Sequence, residues 1–408
     1  MSVLTLFSGI FCNETAVVRE LLETTGFLLI TDEDLISAAS ELSGIEKTKL
    51  ENAFSARTSV FNNFTHEKER SIAYLRQALA RILENENLLV AGYSGLLIPS
   101  TIRHALRVCL IARTEFRLDL AKKEEKIPEA QASLAIKEDD QNRSTWTERL
   151  FMEADPWNPD LYDMVLPMGK IVPGKAAALI QENLLKEALR KTTASKAAAN
   201  NFRLASDTEV ALVNAGHNVG VQALNGRIVL TITRQVLMLS RLEQELKSIA
   251  EKVSGVVSVE TRVKPNTSES SIYKKHHFDL PSKVLLVDDE REFVQTLSER
   301  LQMRDMGSVV AYDGKSALDL VHNDAPEVMI IDLKMPEIDG MEILKQVKRI
   351  KPGIQVIVLT GHGSEQDRKT CMDMGAFAYM QKPVDINLLS ETLKKAHERI
   401  MAPGKSLA

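Results

Sequence analysis

In the last third of the chain, short and continuously apolar runs alternate with amphipathic stretches. Residues 283–287, 328–331, 356–359 and 376–380 are apolar runs of strand length. Each ends abruptly in polar residues: Asp288-Asp289-Glu290, Asp332, Thr360-Gly361 and Lys382-Pro383. Between them, residues 293–304, 314–322, 340–349, 364–374 and 386–399 carry apolar positions at helical spacing. Strands that are apolar on both faces, interleaved with amphipathic helices, predict a parallel sheet covered on both sides, a doubly wound α/β fold.

The first 190 residues have the same character with longer helices. Strands are expected at 3–7, 28–31, 88–92, 107–112 and 164–166. Helices are expected at 14–25, 32–53, 65–86, 115–126, 130–150 and 172–191. The middle stretch predicts strands at 219–221, 227–233 and 255–263 around a helix at 235–253, a small α+β unit of the sandwich type. Residues 264–281 are polar, without a sustained period, and read as a linker. A softer boundary lies at 191–201, where Ala, Ser and Asn dominate. The expected organisation is therefore 1–190, 205–263, a linker at 264–281, and 282–402.

Composition narrows the function classes. A hydrophobic fraction of 44% and a charged fraction of 26% fit folded domains. The net charge of -5 argues against a sequence-independent nucleic-acid binder, and no helix-turn-helix pattern follows the last domain, so nucleic acid is not an expected partner. The 3 cysteines, Cys12, Cys109 and Cys371, form no CxxC pair, which suits a reducing, cytoplasmic setting. No apolar run reaches the roughly 20 residues of a membrane span. The N-terminus lacks a basic n-region and reads as a first strand rather than a signal peptide.

The candidate chemistry lies where the C-terminal strands end. Asp288, Asp289, Asp332, Thr360 and Lys382 all fall at or just past strand carboxyl ends, the ligand-binding edge of an open α/β sheet. Three convergent carboxylates repel one another by roughly 3 kcal/mol per pair within about 5 Å at an effective dielectric near 20. A hard divalent cation, Mg²⁺, relieves that repulsion. The arrangement suits Asp332 as a nucleophile toward a phosphoryl group, with Thr360 and Lys382 donating to its oxygens.

The segments VLLVDDE, IIDLKMPEIDGMEIL, VLTGHG and YMQKP, in this order and spacing, resemble the receiver domain of two-component response regulators. The resemblance covers the whole C-terminal segment. It implies a (βα)5 flavodoxin-like fold with strand order 2-1-3-4-5, and Asp332 as phospho-acceptor for a partner sensor histidine kinase. Mg²⁺ would be held by Asp289 and Asp332, with Asp288 acting through water, and the resemblance adds the backbone carbonyl of Lys334. It also implies Tyr379 as a switch aromatic and a cis peptide at Lys382-Pro383. The responsive surface would be residues 365–394, which could also pair two copies of the chain.

The first 190 residues resemble cytidylate kinase-like proteins of the P-loop nucleoside-monophosphate kinase group. The resemblance rests on LTLFSG, GFLLITDEDL, LLVAGYSGLL, RVCLIARTEFRLDLAKKEEK and ADPWNPDLYDMVLPMGK, which contains Asp163. The phosphate-cradling signature is degenerate. The turn Ser8-Gly9-Ile10-Phe11-Cys12-Asn13-Glu14-Thr15 has one glycine and no lysine, and Glu14 has the wrong charge. Tyr93 stands where the family expects arginine. Arg113, Arg117 and Arg143 read either as surviving lid arginines or as solvated helix charges. A non-catalytic module that binds protein partners is the expectation, and a receiver-gated nucleotide kinase is the alternative. In the middle, VQALNGRIVLTI and VSGVVSVETRV resemble the BON domain, in which Gly226 and Gly255 would occupy turns with positive φ.

Overall fold

The computed structural model describes residues 2–233, 236, 238–264, 280–361 and 363–401. The predicted linker falls almost wholly outside these residues. The chain divides into two compact units.

Unit 1 begins with β1 (Val3–Ser8), α1 (Glu14–Thr25), β2 (Leu28–Thr31), α2 (Asp32–Ser43) and α3 (Lys47–Glu51). The next element, α4 (Asn62–Thr65), belongs to unit 2. Unit 1 resumes with α5 (Glu67–Ile82), β3 (Leu88–Ala91), β4 (Ala105–Ile111), α6 (Thr114–Glu124), α7 (Glu129–Phe151), β5 (Met164–Pro167), α8 (Pro173–Leu184) and α9 (Thr193–Asn214). The five strands pair in parallel in the order β2-β3-β1-β4-β5. Every residue of the central β1 is buried, as a strand covered on both faces requires. Val3 and Phe7 join the core under α2, α5 and α7, while Leu4 and Leu6 join the core under α1 and α8. Period-two alternation thus feeds two hydrophobic layers from one strand.

Two helices expected as continuous are broken. The stretch 32–53 stops at Ser43 because Gly44 adopts φ 70 and its N–H bonds back to Ser40, a left-handed helix end. The stretch 65–86 is interrupted at His66, which has φ 48. Residues 193–201, read as a soft boundary, are instead the opening turns of α9, capped by the Thr192 hydroxyl. α9 packs along α5 through Tyr74–Asn214, Arg76–Glu209 and Gln77–Asp207 hydrogen bonds.

Beyond α9, β6 (Gly220–Leu224), β7 (Arg227–Ile232), α10 (Leu239–Ala250) and β8 (Ser258–Val263) form a three-stranded sheet with order β6-β7-β8. Asn225 and Gly226, both at positive φ, turn β6 back antiparallel to β7. Gly255 also has positive φ, at the approach to β8. Ile228, Leu230 and Ile232 alternate inward against Leu242 and Leu246.

Unit 2 comprises Ser59–His66 and the described residues from 280 onward. Its C-terminal part contains β9 (Val284–Val287), α11 (Arg291–Gln302), β10 (Ser308–Ala311), α12 (Gly314–Asn323), β11 (Val328–Ile331), α13 (Gly340–Ile350), β12 (Gln355–Thr360), α14 (Glu365–Asp373), β13 (Ala378–Gln381) and α15 (Ile386–Met401). The sheet is parallel, in the order β10-β9-β11-β12-β13. Numbered within the unit, that order is the expected 2-1-3-4-5. Four of the strands coincide with the apolar runs. The fifth, β10, carries only Val309 and Val310 between small or polar residues, too short a signal to stand out.

Candidate functional site

Three strand ends of unit 2 converge. Asp288 follows β9, and its N–H bonds to the carbonyl of Ala311. Asp332 follows β11, and its N–H bonds to the carbonyl of Val287. These ladder bonds continue the sheet by one residue and fix both carboxylates on the same edge. Asp289, next to Asp288, is exposed. One oxygen from each of Asp288, Asp289 and Asp332 lies within 4.8 Å of the others. Two of the three acids are almost fully buried, Asp288 at 4% and Asp332 at 6% exposure, which makes the cluster more than a solvated loop.

Lys382 supplies the positive charge from the end of β13. Its Nζ lies 2.8 Å from Asp288, 2.8 Å from Glu290 and 3.4 Å from Asp332. Burial opposes its charge, but hydrogen bonds to Asp288 and Glu290 outweigh that and raise its pKa. Burial in turn pushes the Asp288 carboxyl up, partly offset by the bond from Lys382. The Lys382 ammonium also sits 4.4 Å from the centre of the Phe293 ring. The peptide between Lys382 and Pro383 is cis, as expected.

A hard-oxygen donor set on this scale fits a divalent cation of the Mg²⁺ type. Lys334 lies two residues past Asp332 in the loop before α13, its side chain exposed. Gly340 closes that loop. A Cβ there would collide with the carbonyl oxygen of Asp332, so only glycine lets α13 start so close to Asp332.

Thr360 is buried at the end of β12, and its carbonyl accepts the Lys382 N–H at 2.9 Å. Tyr379, on β13, points its hydroxyl at Gly363, where any Cβ would overlap it. The hydroxyl is buried and has no hydrogen-bond partner among the described residues. The structure thus brings Asp288, Asp289, Asp332 and Lys382 into one cluster and sets Thr360 and Tyr379 along its flank. Sequence reasoning assigned no role to Glu290, Phe293 or Gly363. Glu290 was visible as the last residue of the acidic run, whereas Phe293 and Gly363 had no signal of their own.

The corresponding strand end of unit 1, after β1, is filled by its own side chains. The Asp139 carboxylate accepts the Ile10 N–H at 3.2 Å, Arg143 Nε at 2.7 Å and the Tyr93 hydroxyl at 3.2 Å. Arg117 donates to the Ile10 carbonyl at 2.8 Å and to Asp140 at 2.9 Å. The Arg143 guanidinium lies against both the Phe7 and Tyr93 rings, 4.7 and 4.5 Å from their centres. Arg117 and Arg143 are therefore buried ion-pair partners rather than solvated helix charges, whereas Arg113 is exposed.

Glu14 is half-buried and hydrogen-bonded to Ser8 at 2.5 Å, and desolvation pushes its pKa up. Burial does the same to Asp32, which accepts the N–H groups of Tyr93 and Ser94 and the Ser94 hydroxyl. A Cβ at Gly92 would collide with that carboxylate. Asp163 accepts the Arg107 N–H at 2.8 Å beside β4.

Comparison with known proteins follows the same division. Residues 284–394 match the response regulator receiver domain family, and residues 4–170 match the cytidylate kinase-like family. The transcriptional regulatory protein GlrR of Escherichia coli K12 is 34% identical over 119 residues, covering 29% of this chain and 27% of that protein. The transcriptional regulatory protein CpxR of the same strain is 40% identical over 102 residues, covering 25% of this chain and 43% of that protein. The chain thus spans less than half the length of these relatives. A response regulator receiver domain protein from Clostridium thermocellum, solved as a crystal structure, is 35% identical, with 29% of this chain and 94% of that chain covered and a TM-score of 0.28. No described helix is long and apolar enough to cross a membrane. The C-terminal part of the chain is similar to response regulator receiver domains, and its first 170 residues to the cytidylate kinase-like family.

Proposed function

We propose that this protein is a two-component response regulator whose phospho-acceptor is Asp332. The observation that carries the reading is the cluster of Asp288, Asp289 and Asp332 oxygens within 4.8 Å, with Lys382 seated on it. Asp332 attacks the phosphorus of a phosphohistidine on a partner sensor histidine kinase. The P–N bond breaks, the imidazole leaves with its electron pair, and an acyl phosphate forms on the Asp332 carboxylate. Asp288, Asp289, Asp332 and the Lys334 carbonyl would hold Mg²⁺, which neutralises charge on the phosphoryl oxygens when bound. Lys382, freed from part of its carboxylate pairing, and the Thr360 hydroxyl then bind the new oxygens.

Thr360 moving toward the phosphoryl group changes the space beside Gly363, where the Tyr379 hydroxyl rests. That coupling makes Tyr379 the switch aromatic. Inverting a 1:99 population takes about 5.5 kcal/mol, which these contacts must supply.

The first 190 residues act as a non-catalytic module for protein partners. In support, Asp139 takes the Ile10 N–H, a donor that a phosphate would need, and Glu14, Asp32, Asp139 and Asp140 crowd the cleft with acids. The BON-like stretch, 205–263, serves as a packing module against the long helix α5. The protein works in the cytoplasm.

The test is phosphotransfer from an autophosphorylated histidine kinase to the full chain. The wild type takes up label in the presence of Mg²⁺, and Asp332→Asn takes up none. Equal labelling of the two proteins would sink the assignment.

A further inference from the structure

The C-terminal residues of unit 2 share their core with Ser59–His66. Phe61 is fully buried, in the same apolar cluster as Leu285, Val287, Ala317, Val321 and Ile331. An aromatic ring at 0% exposure in that cluster is a core residue of the unit, not a passing surface contact.

Polar contacts fix the register. The Asp324 carboxylate accepts the Val60 N–H at 2.7 Å and the Ser59 hydroxyl at 3.1 Å. Asp324 caps the C-terminal end of α12, where a negative charge opposes the helix dipole. Two donors from Ser59 and Val60 give that acid a reason to be there. At Gly307, just before β10, a Cβ would collide with Phe64, so the sheet edge is shaped for this segment. Three independent features, an apolar slot, a carboxylate and a glycine, therefore meet one peptide of eight residues.

We infer that the face made by α12 and the edge strand β10 is a docking surface whose occupant is the chain's own Ser59–His66. We further infer that the state of Asp332 alters the hold on that segment. The link is the shared cluster. Val287 immediately precedes Asp288, while Ile331, Leu333 and Met335 flank Asp332, and all four lie in the cluster with Phe61. A change in the loop after Asp332 is transmitted to a close-packed core that includes the Phe61 ring. The segment passes into the rest of the chain at residues 58 and 67, so this route of output differs from the surface at 365–394. The second part of the inference rests on the phospho-acceptor reading of Asp332.

Hydrogen–deuterium exchange on the full chain tests both parts. In the wild type, the amides of 59–66 should exchange at least about tenfold more slowly than an unstructured peptide. Phe61→Ala and Asp324→Ala should each speed exchange in 59–66 and in α12 together. Asp324→Ala keeps the core intact if Phe61→Ala fails to fold. Unprotected amides at 59–66 in the wild type, or Asp324→Ala leaving that segment unchanged, would overturn the docking. Beryllium fluoride with Mg²⁺, a phosphoryl mimic, should change exchange in 59–66 at least about twofold. If the mimic alters exchange around Asp332 but leaves 59–66 untouched, the link is wrong and the phospho-acceptor reading stands.

Discussion

Both units are parallel α/β sheets with polar residues at the carboxyl ends of their central strands, yet the two strand ends are finished in opposite ways. In unit 2, three carboxylates converge with one lysine over them, leaving excess negative charge for a cation to neutralise. In unit 1, Asp139 and Asp140 are matched by Arg143 and Arg117, and the backbone donor of Ile10 is already used. The first arrangement is unbalanced until a ligand arrives. The second sets its arginines against its own acids, although Arg117 Nη2, Arg143 Nη1 and Asp140 Oδ1 are buried without a hydrogen-bond partner among the described residues. The same fold class thus hosts an acid-rich edge and an edge paired by its own side chains, and the residues that α6 and α7 bring to the strand end make the difference.

The comparison can be broken first at the carboxylates. Replacing Asp288 and Asp289 together with alanine should cut Mg²⁺-dependent labelling of Asp332 by about a thousandfold, on the order of the electrostatic contributions seen at such sites. Radiolabel uptake from a histidine kinase measures this, and retained uptake would remove the metal from the account. Next in size is Arg143→Ala in unit 1. It strips a buried cation from Asp139, and unfolding in denaturant should reveal a loss of about 3–5 kcal/mol. A loss under about 1 kcal/mol would mean the cleft is not held shut by that pair.

Lys382→Ala sharpens the contrast, because it removes a cation from an edge that can recruit another. Labelling should slow by roughly ten- to a hundredfold. Stability should be partly recovered by Mg²⁺, a rescue that Arg143→Ala should not share. Smaller still, ATP and CMP with Mg²⁺ should leave the thermal midpoint of the Asp332→Asn chain unmoved, and no ADP should form. A rise with both ligands and ADP release would restore the nucleotide-kinase alternative. Last, Cys12 lies buried at the loop of unit 1, and burial pushes its thiol up to about 11. Its thiolate fraction at pH 8 is then about one in a thousand, so alkylation of the native chain should be negligible at neutral pH and rise only as pH approaches that value. Rapid alkylation at pH 7 would mean the loop is open.

The two regions also differ in how far the sequence disclosed them. In unit 2, the apolar runs point to four strands, and the residues ending them are those that meet in space. The position of β10 was hidden because Ser308–Ala311 carries too few large apolar residues. Glu290 as a partner of Lys382 could be guessed only from its place in an acidic run. In unit 1, the strand positions were accessible but their order in the sheet was not, and helix breaks at Gly44 and His66 depend on single backbone conformations. The pairing of Arg117 and Arg143 with Asp140 and Asp139 was not legible, because charged residues on a helix read as solvated unless the opposing wall is known. The burial of Phe61 in unit 2 is the furthest from sequence, since nothing in local pattern ties residue 61 to residues more than 200 positions away.

The central claim is that one strand end of this chain takes a phosphoryl group and the other does not. Incubating the full chain with acetyl phosphate and Mg²⁺, then mapping the modified peptide by mass spectrometry, tests it most directly. The account predicts one phosphoryl group, on Asp332, lost when EDTA is present. Label on the Ser8–Thr15 loop, or undiminished label on the Asp332→Asn chain, would contradict it.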